Sequence, residues 1–161
     1  MFDVSVPTTR PRADLEPSDA ELLAAAEAAR LNAYAPYSNF LVGAALRTRT
    51  GQLITGANME NASYGLSLCA EAAALSRCVA ETGDLMVESM AIVGAPRVSA
   101  LAGLPTMPCG RCRQLLLEAA HRARHDLRIV CAFAAAPDVV DTRISLLLPF
   151  GFGPLHLNPH P

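Results

Sequence analysis

Three cysteines place the strongest constraint on how this chain folds. Cys69 stands alone, and Cys109 and Cys112 form a Cys-x-x-Cys pair much later in the chain. If all three hold one ion, two distant segments must meet at a point, whatever else the fold does. Three thiolates can hold zinc and leave its fourth position to water, as a catalytic zinc needs, whereas a structural zinc is closed by a fourth Cys or His. The histidines, at 121, 125, 156 and 160, all come after the motif and none flanks it. Glu71 lies just past the first thiol, where it can exchange protons with that water without being a ligand. An isolated glutamate in a first helical turn is ordinary, since the helix dipole favours it. Beside a zinc thiolate it becomes the candidate proton shuttle. The expectation is a hydrolytic zinc centre with Cys69, Cys109 and Cys112 as ligands and Glu71 as the catalytic group.

With 161 residues, 52% of them hydrophobic and 17% charged, the chain suits one packed domain and not a disordered one. Trp is absent and aromatics make up only 5%, so Ala, Leu and Val must fill the core. A formal net charge of −2 gives no general attraction to nucleic acid or to an anionic membrane. No uncharged apolar run approaches the roughly 20 residues of a membrane span. Residues 1–17 carry Asp3, Pro7, Arg10, Pro11, Arg12, Asp14 and Pro17 with no apolar stretch, and read as a flexible arm, not an export signal. The zinc domain is expected over 18–157. A cytoplasmic, reducing setting follows, in which the cysteines favour metal over disulfide. Cys78 and Cys131 lie in apolar surroundings and read as small core residues.

A helix is expected from Ser18 to Tyr34, capped by Ser18 with Glu21 and ended by Pro36. Phe40 to Arg47 and Gln52 to Ala57 read as a hairpin around Thr50-Gly51, and Asn58 to Leu68 as a loop. Further helices are expected from Cys69 to Glu81 and from Cys109 to Arg122, with strands at Met86–Gly94 and Arg128–Ala134. Val139 to Leu148 fits a strand or a short helix equally well. Alternating strands and helices with an initial hairpin predict an α/β fold with a mixed sheet and helices on both faces. Cys69, Cys109 and Cys112 then fall at helix N-termini, where free N–H groups favour thiolate over thiol. The basic stretch His121-Arg122-Ala123-Arg124-His125 lacks the aromatics that stack nucleic-acid bases, and reads as a solvated helix end.

Longer words in the sequence carry a resemblance. They are Ala33-Tyr34-Ala35-Pro36-Tyr37-Ser38-Asn39-Phe40-Leu41-Val42-Gly43-Ala44-Ala45-Leu46, Gly56-Ala57-Asn58-Met59-Glu60-Asn61-Ala62-Ser63-Tyr64 and Cys69-Ala70-Glu71. Pro108-Cys109-Gly110-Arg111-Cys112-Arg113-Gln114 and Leu147-Leu148-Pro149-Phe150-Gly151-Phe152-Gly153-Pro154 complete the set. In this order, from about residue 20 to 157, they resemble the small three-Cys cytidine deaminases. The resemblance implies a three-layer α/β/α cytidine deaminase-like fold, one Zn2+ per subunit and hydrolysis of cytidine and 2′-deoxycytidine to uridine and 2′-deoxyuridine. It also implies a nucleoside as the only ligand, with neither nucleic acid nor membrane, and a homotetramer sharing active sites between subunits. By the same resemblance Asn58 and Glu60 would bind the ribose 3′-hydroxyl, Phe40 would pack on the pyrimidine, and backbone near Ala70 and Cys109 would read the base edge. Asn61 and Ala62 belong to the same substrate segment, and Tyr64 and Phe152 match positions that reach a neighbouring subunit's site.

One departure stands out. Where the family often has an arginine on the zinc thiolates, this chain has Ala72. Three thiolates over-neutralise one zinc, so donors outside the ligand set must compensate. Arg113, with Arg111 beside it, is the expected substitute. The nearest rival reading is a deaminase of another aminopyrimidine nucleoside, of the blasticidin S type. A rival of a different class is a non-catalytic zinc-stabilised binding module, in which Glu71 would be dispensable.

Overall fold

A computed structural model describes residues 8–98 and 103–157. Its sheet is built from β1 (Thr8–Pro11), β2 (Phe40–Thr48), β3 (Leu53–Ala57), β4 (Val87–Pro96), β5 (Arg128–Phe133) and β6 (Asp138–Arg143). The strands run in the order β1-β6-β5-β4-β2-β3, with β4 and β5 parallel and the other pairs antiparallel. The helices are α1 (Pro17–Arg30), α2 (Ala70–Thr82), α3 (Gly110–Ala123) and the short α4 (Ile144–Leu147). This is the mixed α/β sheet that the sequence predicts.

The pleat sends successive side chains to opposite faces, and the core divides accordingly. Ala45, Ala91, Val93, Val130 and Ala132 face Leu22, Leu23 and Ala26 of α1. Ala44, Leu46, Ile92, Ile129 and Cys131 face Ala70, Ala74 and Leu75 of α2 with Leu116 and Ala119 of α3. Helices therefore lie on both faces, and α2 and α3 share one of them. That shared face is what brings residue 69 beside residue 109.

The layers approach closely because small residues meet there. A Cβ on Gly56 of β3 would lie 2.5 Å from both the Ala70 carbonyl oxygen and the Ala74 nitrogen of α2. A Cβ on Gly43 of β2 would come within 2.1 Å of the Ala26 carbonyl oxygen of α1. Backbone has no rotamer with which to give way, so glycine at these two points fixes how deeply each helix seats. Among the described residues no helix is long and apolar enough to cross a membrane.

Several elements differ from the sequence expectation. The first helix starts at Pro17, with Glu16 as its N-cap and no side-chain cap hydrogen bond, so the Ser18–Glu21 box does not form. Proline is pre-set for the first helical position, which moves Ser18 inside the helix. Glu21 instead accepts a hydrogen bond from Arg47 Nη2 at 2.8 Å. That helix also stops at Arg30, short of Tyr34, because Tyr34 pairs its backbone with Asn58 and Glu60 across the chain. The segment 139–148 is both things at once, β6 followed by α4.

The arm expected to be flexible is ordered over Thr8–Pro11, where it pairs antiparallel with β6. Arg10 reaches Asp141 at 3.1 Å, and Arg128 joins Asp19 of α1 at 2.7 Å and Asp141 at 2.7 Å. Composition could not show this, since the arm's partners are charges far away in sequence. Burial pushes the Asp141 carboxyl up, but the bonds from Arg128 and the charges of Arg10 and Arg143 outweigh it and hold it below its ordinary value.

Two outcomes are expected. Gly56→Ala must push α2 off β3 at a cost of about 1–3 kcal/mol, read as a lower thermal midpoint; an unchanged melt would mean α2 retreats freely. A carboxyl depressed in the folded state adds stability above its unfolded pKa of about 3.9, and that stability is lost as pH falls through the folded value. Asp141→Asn should therefore melt below the parent at neutral pH, with the gap closing in acid below about pH 3.9.

Candidate metal and active site

Each sulfur is placed by a helix start. Cys69 is the N-cap of α2 and Cys109 the N-cap of α3, both with extended backbone (ψ 154° and 168°). Cys112 follows, buried, in the first turn of α3. Neither cap residue makes a side-chain cap hydrogen bond, which leaves the thiols free to face each other. The three sulfurs lie within 4.8 Å of one another, with Cys69 and Cys109 3.7 Å apart.

These distances test the fit to zinc. Four ligands arranged tetrahedrally at a Zn–S distance of about 2.3 Å put sulfurs about 3.8 Å apart. The Cys69–Cys109 pair meets that spacing. Among the described residues the ligand group stops at three, one short of a closed structural site. The protein's donor set thus fits one zinc with a coordination position to spare.

The thiols themselves show the bias of the site. A hydrogen bond from Cys112 holds Cys69 down at about 6, with help from Cys109 and the charge of Arg111 against the opposing effect of burial. Cys112 is pushed up, chiefly by that same bond to Cys69 and then by burial. Glu71, in the first turn of α2, is 4% exposed. Burial lifts its carboxyl to about 6, with the Cys69 charge adding to the rise. Cys78 and Cys131 are buried in the core as expected.

A pocket of about 540 Å³ opens over this centre, a usual size for a small-molecule site. Cys69, Ala70, Glu71 and Cys109 line it beside Asn58, Glu60 and Tyr64. Asn58 is fixed on both sides: its Oδ1 accepts from Val42 N at 2.8 Å, and its Nδ2 donates to Phe40 O at 3.0 Å. Glu60 accepts from the backbone nitrogens of Tyr37 and Ser38 at 2.9 and 3.2 Å, and from the Ser38 hydroxyl. The Ser38 hydroxyl leads the bonds that keep the Glu60 carboxyl below its ordinary value. Each side chain still has hydrogen-bonding capacity for a ligand, through the second Asn58 amide proton and the remaining Glu60 lone pairs.

Other expected residues lie elsewhere. The Phe40 ring is not in the pocket wall but against Gly94, where its Cε1 would sit 2.9 Å from a Cβ on that glycine. Asn61 shapes the turn, accepting from Ser63 N at 2.8 Å and donating its own N–H to Ser67 Oγ at 3.1 Å. Ala62 is exposed. Phe152 stacks on His156 with ring centres 5.1 Å apart, and its carbonyl accepts from Gln114 of α3 at 2.7 Å. Arg113, expected to donate to the thiolates, instead gives Nε to Pro108 O at 2.9 Å and Nη1 to Leu147 O at 3.0 Å. It therefore ties the start of α3 to the end of α4.

The sequence reading assigned no role to Tyr37, Ser38, Val42, Ser67, Leu68, Thr106 or Met107, which complete the pocket wall. Tyr37 meets Tyr64 edge to face at 6.0 Å. A carboxylate at residue 60 needs donors, which was the available clue to Ser38. Thr106 and Met107 sit in a segment without any period, and nothing marked them.

Three thiols that can hold a metal ion and a buried carboxyl thus lie together under an open pocket. Comparison with known proteins gives the family. A model of the cytidine and deoxycytidylate deaminase zinc-binding region matches residues 16–125, and the chain belongs to that family. It is 48% identical over 90 residues to a cytidine deaminase of Halalkalibacterium halodurans, a match covering 56% of this chain and 63% of the relative. The chain thus spans less than two thirds of that protein. A cytidine deaminase of Sporosarcina psychrophila is 33% identical over 132 residues, covering 82% of this chain and 89% of the relative. The crystal structure of cytidine deaminase from Burkholderia pseudomallei superposes with a TM-score of 0.72 at 42% identity, covering 83% of this chain and 98% of that one.

Cys112→Ser leaves two thiolates. Zinc binding, measured by competition with a chelator, should weaken by more than about 100-fold, beyond what loss of a supporting neighbour costs. Near-parent affinity would remove Cys112 from the ligand set.

Proposed function

We propose that this chain hydrolyses cytidine and 2′-deoxycytidine to uridine and 2′-deoxyuridine, releasing ammonia. The observation that carries this reading is Glu71, buried beside the three sulfurs in the lining of the pocket. Zinc, when bound by Cys69, Cys109 and Cys112, supplies the Lewis acidity that makes water available as a nucleophile at neutral pH.

The rest falls to the chain's own groups. Glu71 takes a proton from the attacking water as its oxygen bonds to C4 of the ring, and passes that proton to N3. It then carries the second water proton to the exocyclic amine. The C4–N bond breaks, the C4 carbonyl forms and ammonia leaves. A carboxyl raised by burial is suited to both halves of that transfer, because it is neither too weak a base nor too weak an acid. Asn58, anchored on β2, and Glu60, anchored on the residues that lead into it, bind the sugar 3′-hydroxyl and leave the 2′ position unread, so both nucleosides are accepted. Tyr64, on the pocket wall, and Phe152, whose carbonyl is held by Gln114 of α3, serve sites shared between subunits of a homotetramer. The setting is pyrimidine salvage in the cytoplasm.

The test is the fall in ultraviolet absorbance when cytidine is incubated with zinc-loaded protein. Glu71→Gln should keep its zinc and lose about 10²–10⁴-fold in turnover. Comparable turnover by both would dismiss Glu71 as the proton carrier, and a zinc-loaded parent inert on both nucleosides would dismiss the substrate.

A further inference from the structure

A row of arginines crosses the sheet away from the three sulfurs. Arg47 of β2 pairs with Ser89 of β4, Ser89 with Arg128 of β5, and Arg128 with Arg143 of β6. Residues paired in this way point to one face of a sheet, and like charges directly opposite one another are destabilising. Arg128 and Arg143 stand in that relation. Arg47 is offset by Glu21 at 2.8 Å, and Arg128 by Asp19 and Asp141, both at 2.7 Å. Arg143 gives Nη1 to the Asp126 carbonyl oxygen at 3.0 Å, and among the described residues it has no carboxylate partner.

The four side chains of this row line a cleft of about 280 Å³, which shares no residue with the pocket over the sulfurs. Two polar groups in its wall lack partners. Ser89 is only 8% exposed, and among the described residues no hydrogen bond engages its hydroxyl. Nε2 of His125 donates to the Glu88 carbonyl oxygen at 3.0 Å, since a carbonyl only accepts, and Nδ1 is then an acceptor. That Nδ1 is buried and unpartnered. Polar groups buried without partners are costly, so both call for a ligand in the cleft.

The carboxylates in the wall are already committed. Asp19 is held by Arg128, Asp126 accepts from the nitrogen and hydroxyl of Ser145 at 3.1 and 2.7 Å, and Glu88 lies 4.0 Å from Arg49. Arg47 and Arg143 carry more N–H groups than their bonds use. The first turn of α1, with Ser18 in the wall, adds a helix dipole that favours an anion. Donors thus outnumber acceptors, but one acceptor, His125 Nδ1, also needs a proton. A phosphate group near neutral pH meets both demands, with oxygens that accept and an O–H that donates; sulfate brings no such proton.

We propose that this cleft binds a protonated phosphate group, with Arg47, Arg143 and Ser89 donating to its oxygens and His125 Nδ1 accepting its proton. The site is independent of the metal centre and of the substrate.

The experiment is a calorimetric titration of the full chain with inorganic phosphate and with sulfate at about pH 6.5, where phosphates keep a proton. Phosphate should bind saturably and at least about tenfold more tightly than sulfate, as one hydrogen bond to a charged group is worth. Ser89→Ala should bind phosphate about tenfold more weakly. It should melt no lower than the parent in chloride, because the hydroxyl it removes has no partner within the chain. Arg143→Gln should abolish binding. Glycerol phosphate separates the two sources of the group: affinity equal to that of phosphate assigns the cleft to a phosphoryl group on a larger molecule, and weaker binding assigns it to the free ion. Absence of saturable binding, sulfate as tight as phosphate, or parent affinity in Ser89→Ala would overturn the proposal.

Discussion

Everything at this site depends on two helices beginning at the same place. α2 and α3 lie on one face of the sheet, and their first residues meet so closely that Cys69 and Cys109 sulfurs are 3.7 Å apart. Sulfurs this close repel one another as thiolates, so the arrangement stores its own demand for a cation. The helix ends partly meet that demand with their free N–H groups. The metal meets the rest. A single constraint thus joins fold to chemistry: the sheet seats the helices, the helices gather the sulfurs, and the sulfurs select the ion.

Small side chains make that convergence possible. Ala70 and Ala74 in α2, Ala119 in α3 and Ala44 in β2 are all fully buried between the layers. Gly56 removes even the methyl group where β3 passes under the first turn of α2. A bulkier core would hold α2 farther from the sheet and carry Cys69 away from Cys109. The absence of Trp and the abundance of Ala are therefore part of how the site is built, and not only of how the core is filled.

The residues with local signals were legible in the sequence. The thiol spacing pointed to the cluster of three sulfurs and to the two helix starts beside it, and hydrophobic alternation pointed to the strands behind them. What escaped was tertiary. Ser18 looks like a cap until Pro17 takes the first helical position. Arg113 looks like a partner for thiolates until Pro108 and Leu147 offer it carbonyls. Phe40 looks like a pocket residue until Gly94 opens a seat for its ring on the sheet. The arm looks loose until Arg10 finds Asp141. In each case the sequence supplied one partner and the fold supplied the other.

The two outer strands of the sheet have a consequence of their own. An unpaired edge offers a row of N–H and C=O groups on which another chain can extend the sheet, and proteins blunt such edges with short strands, charges and proline. Here one edge is the four-residue β1, which carries Arg10 and ends on Pro11, a residue with no N–H to offer. The opposite edge is the five-residue β3, and Arg77 of α2 reaches across it to the Thr55 carbonyl at 3.4 Å. Among the described residues, then, both borders are short and partly blocked against the growth of a continuous sheet. A second copy of the chain would find few free backbone groups on these strands to pair with.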